Sequence, residues 1–182
     1  MSIGIYTSDQ ALNWIKGTDF PSNPTLTFGL HNGDPSNNGA NEITSSVCSG
    51  RASYSGFDAI ATVGSTRQTK SSGSISWGTS TAAGSAIYWS VWSGSNYLWG
   101  DAFRDALGNP TSIIFGNGDT ISVGAGALVL SLSNAIASNY LADMILGWLV
   151  LSTTPPTAPT NTYIGLATAV APDGTITEVT TD

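Results

Sequence analysis

Chemistry in a chain of this kind would have to start from its one histidine, His31. It stands just before Asp34, in the stretch LTFGLHNGDPSNNGANEIT that runs from Leu26 to Thr44. An imidazole near a carboxylate is half of an acid–base or nucleophilic site. The other half, a Ser or Cys in a nucleophile motif such as Gly-x-Ser-x-Gly, is missing from the sequence. His31 sits at the exit of an alternating segment, before a turn, so hydrogen bonding that shapes the turn is its expected role. The segment DPSNNG, Asp34 to Gly39, offers oxygen side chains at alternate positions followed by Gly, as a calcium loop does. Glu42 comes too early for the bidentate position of such a loop, and Asp34, Ser36 and Asn38 are also ordinary turn residues. The expected metal set is therefore none, and with no cofactor motif the expected cofactor is none.

The other chemical candidates are weaker. Asp101 with Asp105, and Asp9 with Asp19, are carboxylates close in sequence, but a glycosidase pair must face across a cleft about 5–10 Å wide. All four stand in loop-like contexts, where solvated charge is the expectation. The Gly-rich GNGDTISVGAGAL contains no P-loop lysine and precedes no helix, so it reads as a hairpin. Cys48 is the only cysteine and excludes an intrachain disulfide. Trp77, Trp89, Trp92 and Trp99, with Tyr88 and Tyr97, form a dense aromatic set. Alternation along strands sends about half of such a set into a core. Trp92, Trp99 and Tyr97 are the candidates for stacking on a glycan.

Composition narrows the class of function. Charged residues make up 9% of the chain, against about 25% in an average soluble protein. Net charge is −7, with five lysines and arginines in all. So few dispersed cations argue against nucleic acid, whose phosphates must be neutralised, and against anionic lipid. The most apolar run, Leu141 to Leu151, is too short to span a bilayer and contains Asp143, so no membrane insertion is expected. The start, MSIGIYTSDQ, lacks the basic and apolar regions of a signal peptide, and the single cysteine fits assembly in a reducing cytoplasm.

The elements that must position these residues are mostly strands. Few Lys and Glu beside many Thr, Ser, Trp, Tyr and Val disfavour helix. A short opening helix is expected over SDQALNWIKG, capped by Ser8 and ended by Gly17. Leu26, Phe28 and Leu30 then alternate with Thr25, Thr27 and Gly29, the period of a half-buried strand. FDAIATVG, GSISWG, SAIYWSVW and NYLWGDAF come next as candidate strands, with Ile87, Trp89 and Val91 facing one way and Tyr88, Ser90 and Trp92 the other. TSIIFG and TISV read as a strand pair about the turn at Asn117-Gly118-Asp119, and Leu128, Leu130 and Leu132 mark a closing strand. Short strands with turn signals between them predict an all-β, antiparallel, sandwich or jelly-roll-like domain. Beyond it, Leu141, Met144, Ile145, Trp148 and Leu149 form a helical stripe capped by Ser138, and a Pro-rich linker, STTPPTAPTN, comes next.

The chain also says one thing twice. Ala11-Leu12-Asn13-Trp14-Ile15 aligns with Ile145-Leu146-Gly147-Trp148-Leu149. Phe28-Gly29-Leu30 aligns with Ile164-Gly165-Leu166, and Glu42-Ile43-Thr44 with Glu178-Val179-Thr180, at one spacing from Gly to Glu. The expected organisation is a sandwich with its opening helix over 1–134 and a partial repeat (helix, Pro loop, strand) over 135–182. A helix with one hairpin arm cannot bury a core alone. It packs on the first domain, pairs by strand addition with another subunit, or belongs to a longer tandem protein. Tyr163, Ile164, Leu166 and Trp148 are its candidate interface residues.

Several of these segments together resemble a known family. NPTLTFGLHNGDPSNNGANEIT, GRA, ISWG, WSVWSGSNYLWGDA and GNGDTISVGAGALVLSL, in that order, look like the phage tail fibre protein family of small virion proteins. The matching positions are Phe28 to His31, Asp34-Pro35, Asn41-Glu42, Gly50-Arg51-Ala52, Trp77, Trp89 to Trp92, Gly118-Asp119 and Ala125 to Leu128. Arg51 follows Gly50 directly here, without the aromatic residue that the family's pattern places between them. The resemblance implies a non-enzymatic structural protein of a bacteriophage virion, assembled in the host cytoplasm. Its implied place is a tail fibre, a tail adaptor or a capsid decoration. Its implied partners are other virion proteins and itself, as a homo-oligomer. A carbohydrate-binding receptor module that recognises host surface glycan is the alternative.

Overall fold

The computed structural model describes residues 2–44, 46–105, 107–133, 138–162, 167–170 and 176–178. The chain opens with β1 (Ser2–Ile3) and α1 (Ile5–Ile15). β2 (Leu26–His31), β3 (Ala52–Ser53), β4 (Ala61–Val63), β5 (Thr66–Lys70), β6 (Ile75–Thr79) and β7 (Gly84–Ala86) come next. They are succeeded by β8 (Tyr88–Ser93), β9 (Asn96–Ala102), β10 (Ile113–Phe115), β11 (Thr120–Val123) and β12 (Val129–Ser133). α2 (Asn139–Val150), β13 (Ala167–Val170) and β14 (Ile176–Glu178) complete the order.

The fold is all-β and sandwich-like, with antiparallel pairing between the named strands. A five-stranded sheet runs β1-β9-β8-β2-β3, and smaller sheets are β12-β5-β4, β11-β6, β10-β7 and β13-β14. Phe28 and Leu30 of β2, with Trp89 and Val91 of β8, meet Ile75 and Trp77 of β6 and Leu128, Leu130 and Leu132 in one apolar core. Trp77 closes the join with a hydrogen bond, its indole N–H donating to the Phe28 carbonyl at 2.7 Å. A buried indole with its N–H satisfied contributes area without an orphan donor.

Three local expectations need correction. α1 begins three residues before Ser8, at Ile5, with Gly4 at its N-cap. The cause is tertiary: Ser2 and Ile3 pair with Gly100 and Trp99, and the Gly4 amide still donates to Leu98 at 2.9 Å. The chain therefore turns from sheet straight into helix, and the Ser8 hydroxyl bonds back to the Gly4 carbonyl instead of capping. SAIYWSVW is broken at Ile87 into β7 and β8. β10 and β11 do not pair with each other, because β10 joins β7 and β11 joins β6. The turn between them spreads two strands to different partners.

α2 starts as the sequence indicates, with the Ser138 hydroxyl accepting from the Leu141 amide at 3.3 Å. It lies against β5 and β12. Ala142, Ile145, Leu146, Trp148, Leu149 and Val150 belong to the same core as the sandwich, so a single core spans the boundary at 134/135. The Arg67 guanidinium of β5 grips Asp143 of α2 with two parallel bonds, 2.6 and 2.7 Å. Trp148, expected at an interface, is buried inside its own chain because α2 presents it to that core. Tyr163, Ile164 and Leu166 lie outside the described residues.

Candidate functional site

His31 and its polar neighbours meet on the outer face of the five-stranded sheet. On β2, Leu26, Phe28 and Leu30 point into the core, which leaves Gly29 and His31 on the other face. Ser90 and Trp92 of β8 share that face, yet they are buried too. The long connection from Asn32 to Gly50 folds back over them and is anchored by its own turns. The Asp34 carboxylate accepts from the Ser36 amide at 2.8 Å, Asn38 accepts from the Ala40 amide at 3.2 Å, and the Asn41 amide donates to the Asp34 carbonyl at 2.9 Å. The Asp34–Gly39 oxygens thus serve the turn, and among the described residues no group of three or more His, Cys, Asp or Glu could hold a metal ion.

His31 is fully buried under this loop. Its Nδ1 lies 2.7 Å from the Ala40 carbonyl and its Nε2 lies 2.6 Å from the Ser90 hydroxyl, which also lies 2.7 Å from the Trp92 indole nitrogen. A carbonyl and an indole leave one consistent assignment of protons. The His31 Nδ1–H donates to Ala40, the Ser90 O–H donates to Nε2, and the Trp92 N–H donates to Ser90. Burial is the largest influence on His31 and pushes its pKa below the ordinary value, so the ring is neutral at pH 7. A serine and histidine in contact are the start of a nucleophilic pair. Here Nδ1 is held by a carbonyl instead of a carboxylate, and both residues are buried. The chain Trp92–Ser90–His31–Ala40 is a strut between sheet and loop.

A second tie lies beside it. Arg51 makes two bonds to Glu42, at 2.6 and 2.8 Å, and a third to the Gly94 carbonyl at 3.0 Å. Its guanidinium lies 3.5 Å over the Trp92 ring, and Tyr97 meets the same ring edge-on at 5.2 Å between centroids. The Tyr97 hydroxyl reaches Ser2 at 2.9 Å and donates to the Ser36 carbonyl at 3.2 Å. Burial first of all pushes its pKa up to about 12. These contacts correct the choice of glycan-stacking residues. Trp92 and Tyr97 are covered by the loop and by Arg51, and Trp99 is fully buried with its N–H meeting no acceptor among the described residues. None offers a free ring face to a sugar. Alternation predicts that half of the aromatics are inside; the folded-over loop buries much of the other half.

The carboxylates behave similarly. Asp101 is buried on β9 and not in a loop; its carboxylate accepts from the Ala102 amide at 2.8 Å and from Arg104 at 3.3 Å. Asp105 accepts from the amides of Leu107 and Asn109, both at 2.9 Å, and the Asn109 backbone bond in particular holds its pKa below the usual value. A general acid needs the opposite shift. Both residues line an open groove of about 740 Å³ with Gln68, Arg104, Leu107 and Ser131.

The two helical segments make the third cluster, and of the three alternatives open to the second segment the described residues show packing on the first domain. The Trp14 indole of α1 donates to the Pro156 carbonyl beyond α2, at 3.0 Å. The Trp148 indole of α2 donates to the Pro21 carbonyl beyond α1, also at 3.0 Å. Asn23 donates to the Thr153 carbonyl at 3.0 Å, the Ala158 amide donates to Asp19 at 2.6 Å, and the Thr162 hydroxyl donates to the Ile15 carbonyl at 2.8 Å. Asp19 is thereby a loop clamp, not half of an acid pair with Asp9.

Within this antiparallel β-sandwich His31, Arg51, Arg67, Trp14, Trp92 and Trp148 are all committed to bonds inside the chain. Residues 2–131 match the family described as Podophage GP4 fiber I protein gp80, and the chain belongs to that family of phage fibre proteins. The matched stretch ends within β12, so α2, β13 and β14 lie beyond it. No curated protein matches the chain. The family makes this a virion-located protein that contacts other virion components. Among the described residues no helix is long and apolar enough to cross a membrane.

Proposed function

We propose that the chain is a non-enzymatic structural component of a phage particle, placed in a tail fibre and acting through subunit contacts. The carrying observation is the Trp92–Ser90–His31–Ala40 strut with the Arg51–Glu42 clamp. Every group of this cluster that acid–base chemistry would require is buried or already bonded within the chain. Cryo-electron microscopy of the particle tests this: a fixed, symmetric copy number on the tail supports it, and absence from the particle overturns it. Release of reducing ends from host polysaccharide by the purified chain would also overturn it.

Duplication of the opening segment belongs to the same reading. α2 begins at the position aligned with the start of α1, and the tryptophan of each helix donates to a proline carbonyl in the loop beyond the other. The pairing pattern repeats as well: His31 bridges Glu42, and the aligned Ala167 pairs with Glu178. A glycan-binding role is the second reading, favoured by the open 740 Å³ groove and its mixed lining. It moves any sugar contact from Trp92, Tyr97 and Trp99 to Gln68, Asp101 and Arg104, and titration of the chain with host polysaccharide checks it.

A further inference from the structure

α1 exposes a stripe of apolar residues with nothing among the described residues to cover it. Ile5 is 53% exposed, Leu12 58% and Ile15 36%, and these positions fall on one helical face. On the alignment of the two helices, Ser8, Leu12 and Ile15 correspond to Ala142, Leu146 and Leu149 of α2. That second stripe is completely buried on a helix that lies against β5 and β12. The exposed Asp9 corresponds to Asp143, the residue that Arg67 grips with two bonds. α1 therefore carries, facing solvent, two of the apolar steps of α2, Leu12 and Ile15, and the same acid, Asp9; Ile5 extends the stripe where α2 has Asn139.

We propose that the Ile5–Leu12–Ile15 stripe of α1, with Asp9 beside it, docks on the vacant helix seat of another β-sandwich chain of the particle. The seat required is an apolar two-strand face bearing an arginine in the place that Arg67 holds here. This rests on the duplication and on the virion reading. A second copy of this chain is the poorer occupant. Its own β5–β12 seat is filled by a tethered α2 held at high effective concentration, and α2 brings Ile145 to the core where α1 has only Ala11. A helix arriving from another molecule must lose that competition. The partner is thus a different chain, one whose closing strands carry no helix of their own.

The test uses the full chain in the assembled particle. A photo-crosslinking amino acid replaces Leu12, the gene is supplied to an infection lacking it, and purified particles are irradiated and the joined peptides mapped. The expected product joins position 12 to a strand of a different virion protein with an arginine within reach. Leu12→Asp and Asp9→Arg, both on exposed positions, are expected to leave the melting of the isolated chain unchanged and to lower its incorporation about tenfold, the effect of losing about 1.4 kcal/mol. Exchanging the mapped arginine for Asp is expected to rescue Asp9→Arg. Normal incorporation of both variants overturns the docking surface. So does a crosslink to β5, β12 or α1 of a second copy, or to this same chain. If the unaltered chain is missing from particles, the virion reading fails first. If it is present and position 12 joins to nothing, the docking surface alone fails.

Discussion

Trp14 and Trp148 hold each other's loops: each indole donates at 3.0 Å to a proline carbonyl that lies just beyond the other's helix. The exchange makes the second helix a structural part of the sandwich. It also distinguishes the two tryptophans energetically, because Trp14 is half-buried and Trp148 fully buried. Trp148→Ala is expected to cost about 3–5 kcal/mol, and Trp14→Ala clearly less. Urea unfolding followed by circular dichroism measures both.

The Arg67–Asp143 pair is the polar anchor of α2 on β5. Both groups are partly exposed, so the pair contributes about 1 kcal/mol. Arg67→Ala and Asp143→Ala should each lower stability by that amount, and the double variant should lose little more than either alone. A double-mutant cycle that adds fully would show that the two residues act independently.

Arg51 is expected to resist conservative replacement. It uses a planar fork on Glu42 and lies flat over Trp92. Lysine supplies neither. Arg51→Lys should therefore destabilise nearly as much as Arg51→Ala, by about 1–3 kcal/mol. Loop opening is readable as faster amide exchange between Asn32 and Gly50.

Gly39 marks where the loop touches the sheet. Its φ of +79° is a left-handed conformation, and a Cβ there would run into the Trp92 ring. Gly39→Ala should cost about 2 kcal/mol from strain and overpacking together. The same unfolding experiment, with Trp fluorescence as probe, reports it; an unchanged midpoint would contradict the close contact.

Stability should fall at both ends of the pH range. The pKa of His31 is lowered in the folded state, so below the ordinary value of 6.5 the unfolded chain takes up a proton that the folded chain resists. Stability present above pH 6.5 is lost as pH falls through the folded value. Tyr97 works in the opposite sense. Its folded pKa is about 12 against an ordinary 10.0, so the unfolded chain ionises first, and stability is lost as pH rises from 10 toward 12. Denaturant midpoints across pH, with phenolate absorbance at the alkaline end, check both, and His31→Gln should flatten the acid limb.

Much of the architecture was legible locally. The alternation of Leu26, Phe28 and Leu30 marks the core face of β2, the closing leucines mark the last core strand, and Ser138 marks the start of α2. Hydrogen bonding of His31 to the turn was also legible from its place at the exit of a strand, whereas its bond to the distant Ser90 was not. What was illegible depended on distant chain. Gly4 could not be seen as a helix cap, since pairing of β1 with β9 sets that point. The burial of Trp92 and Tyr97 could not be seen either, since the cover comes from Asn32–Gly50 and from Arg51.

By itself the sequence determined the strand periodicity, the turn chemistry, the scarcity of cations and the likeness between the Ala11–Ile15 and Ile145–Leu149 segments. Those arise from side-chain size, backbone preference and charge, which act between near neighbours. The tertiary structure alone decided which partner each of β10 and β11 takes, where the aromatic rings are hidden, and that α2 fills a seat on its own sandwich while α1 leaves the matching stripe in solvent. Such choices rest on hydrogen bonds and apolar contacts between residues far apart in the chain, and spacing along a sequence carries no record of them.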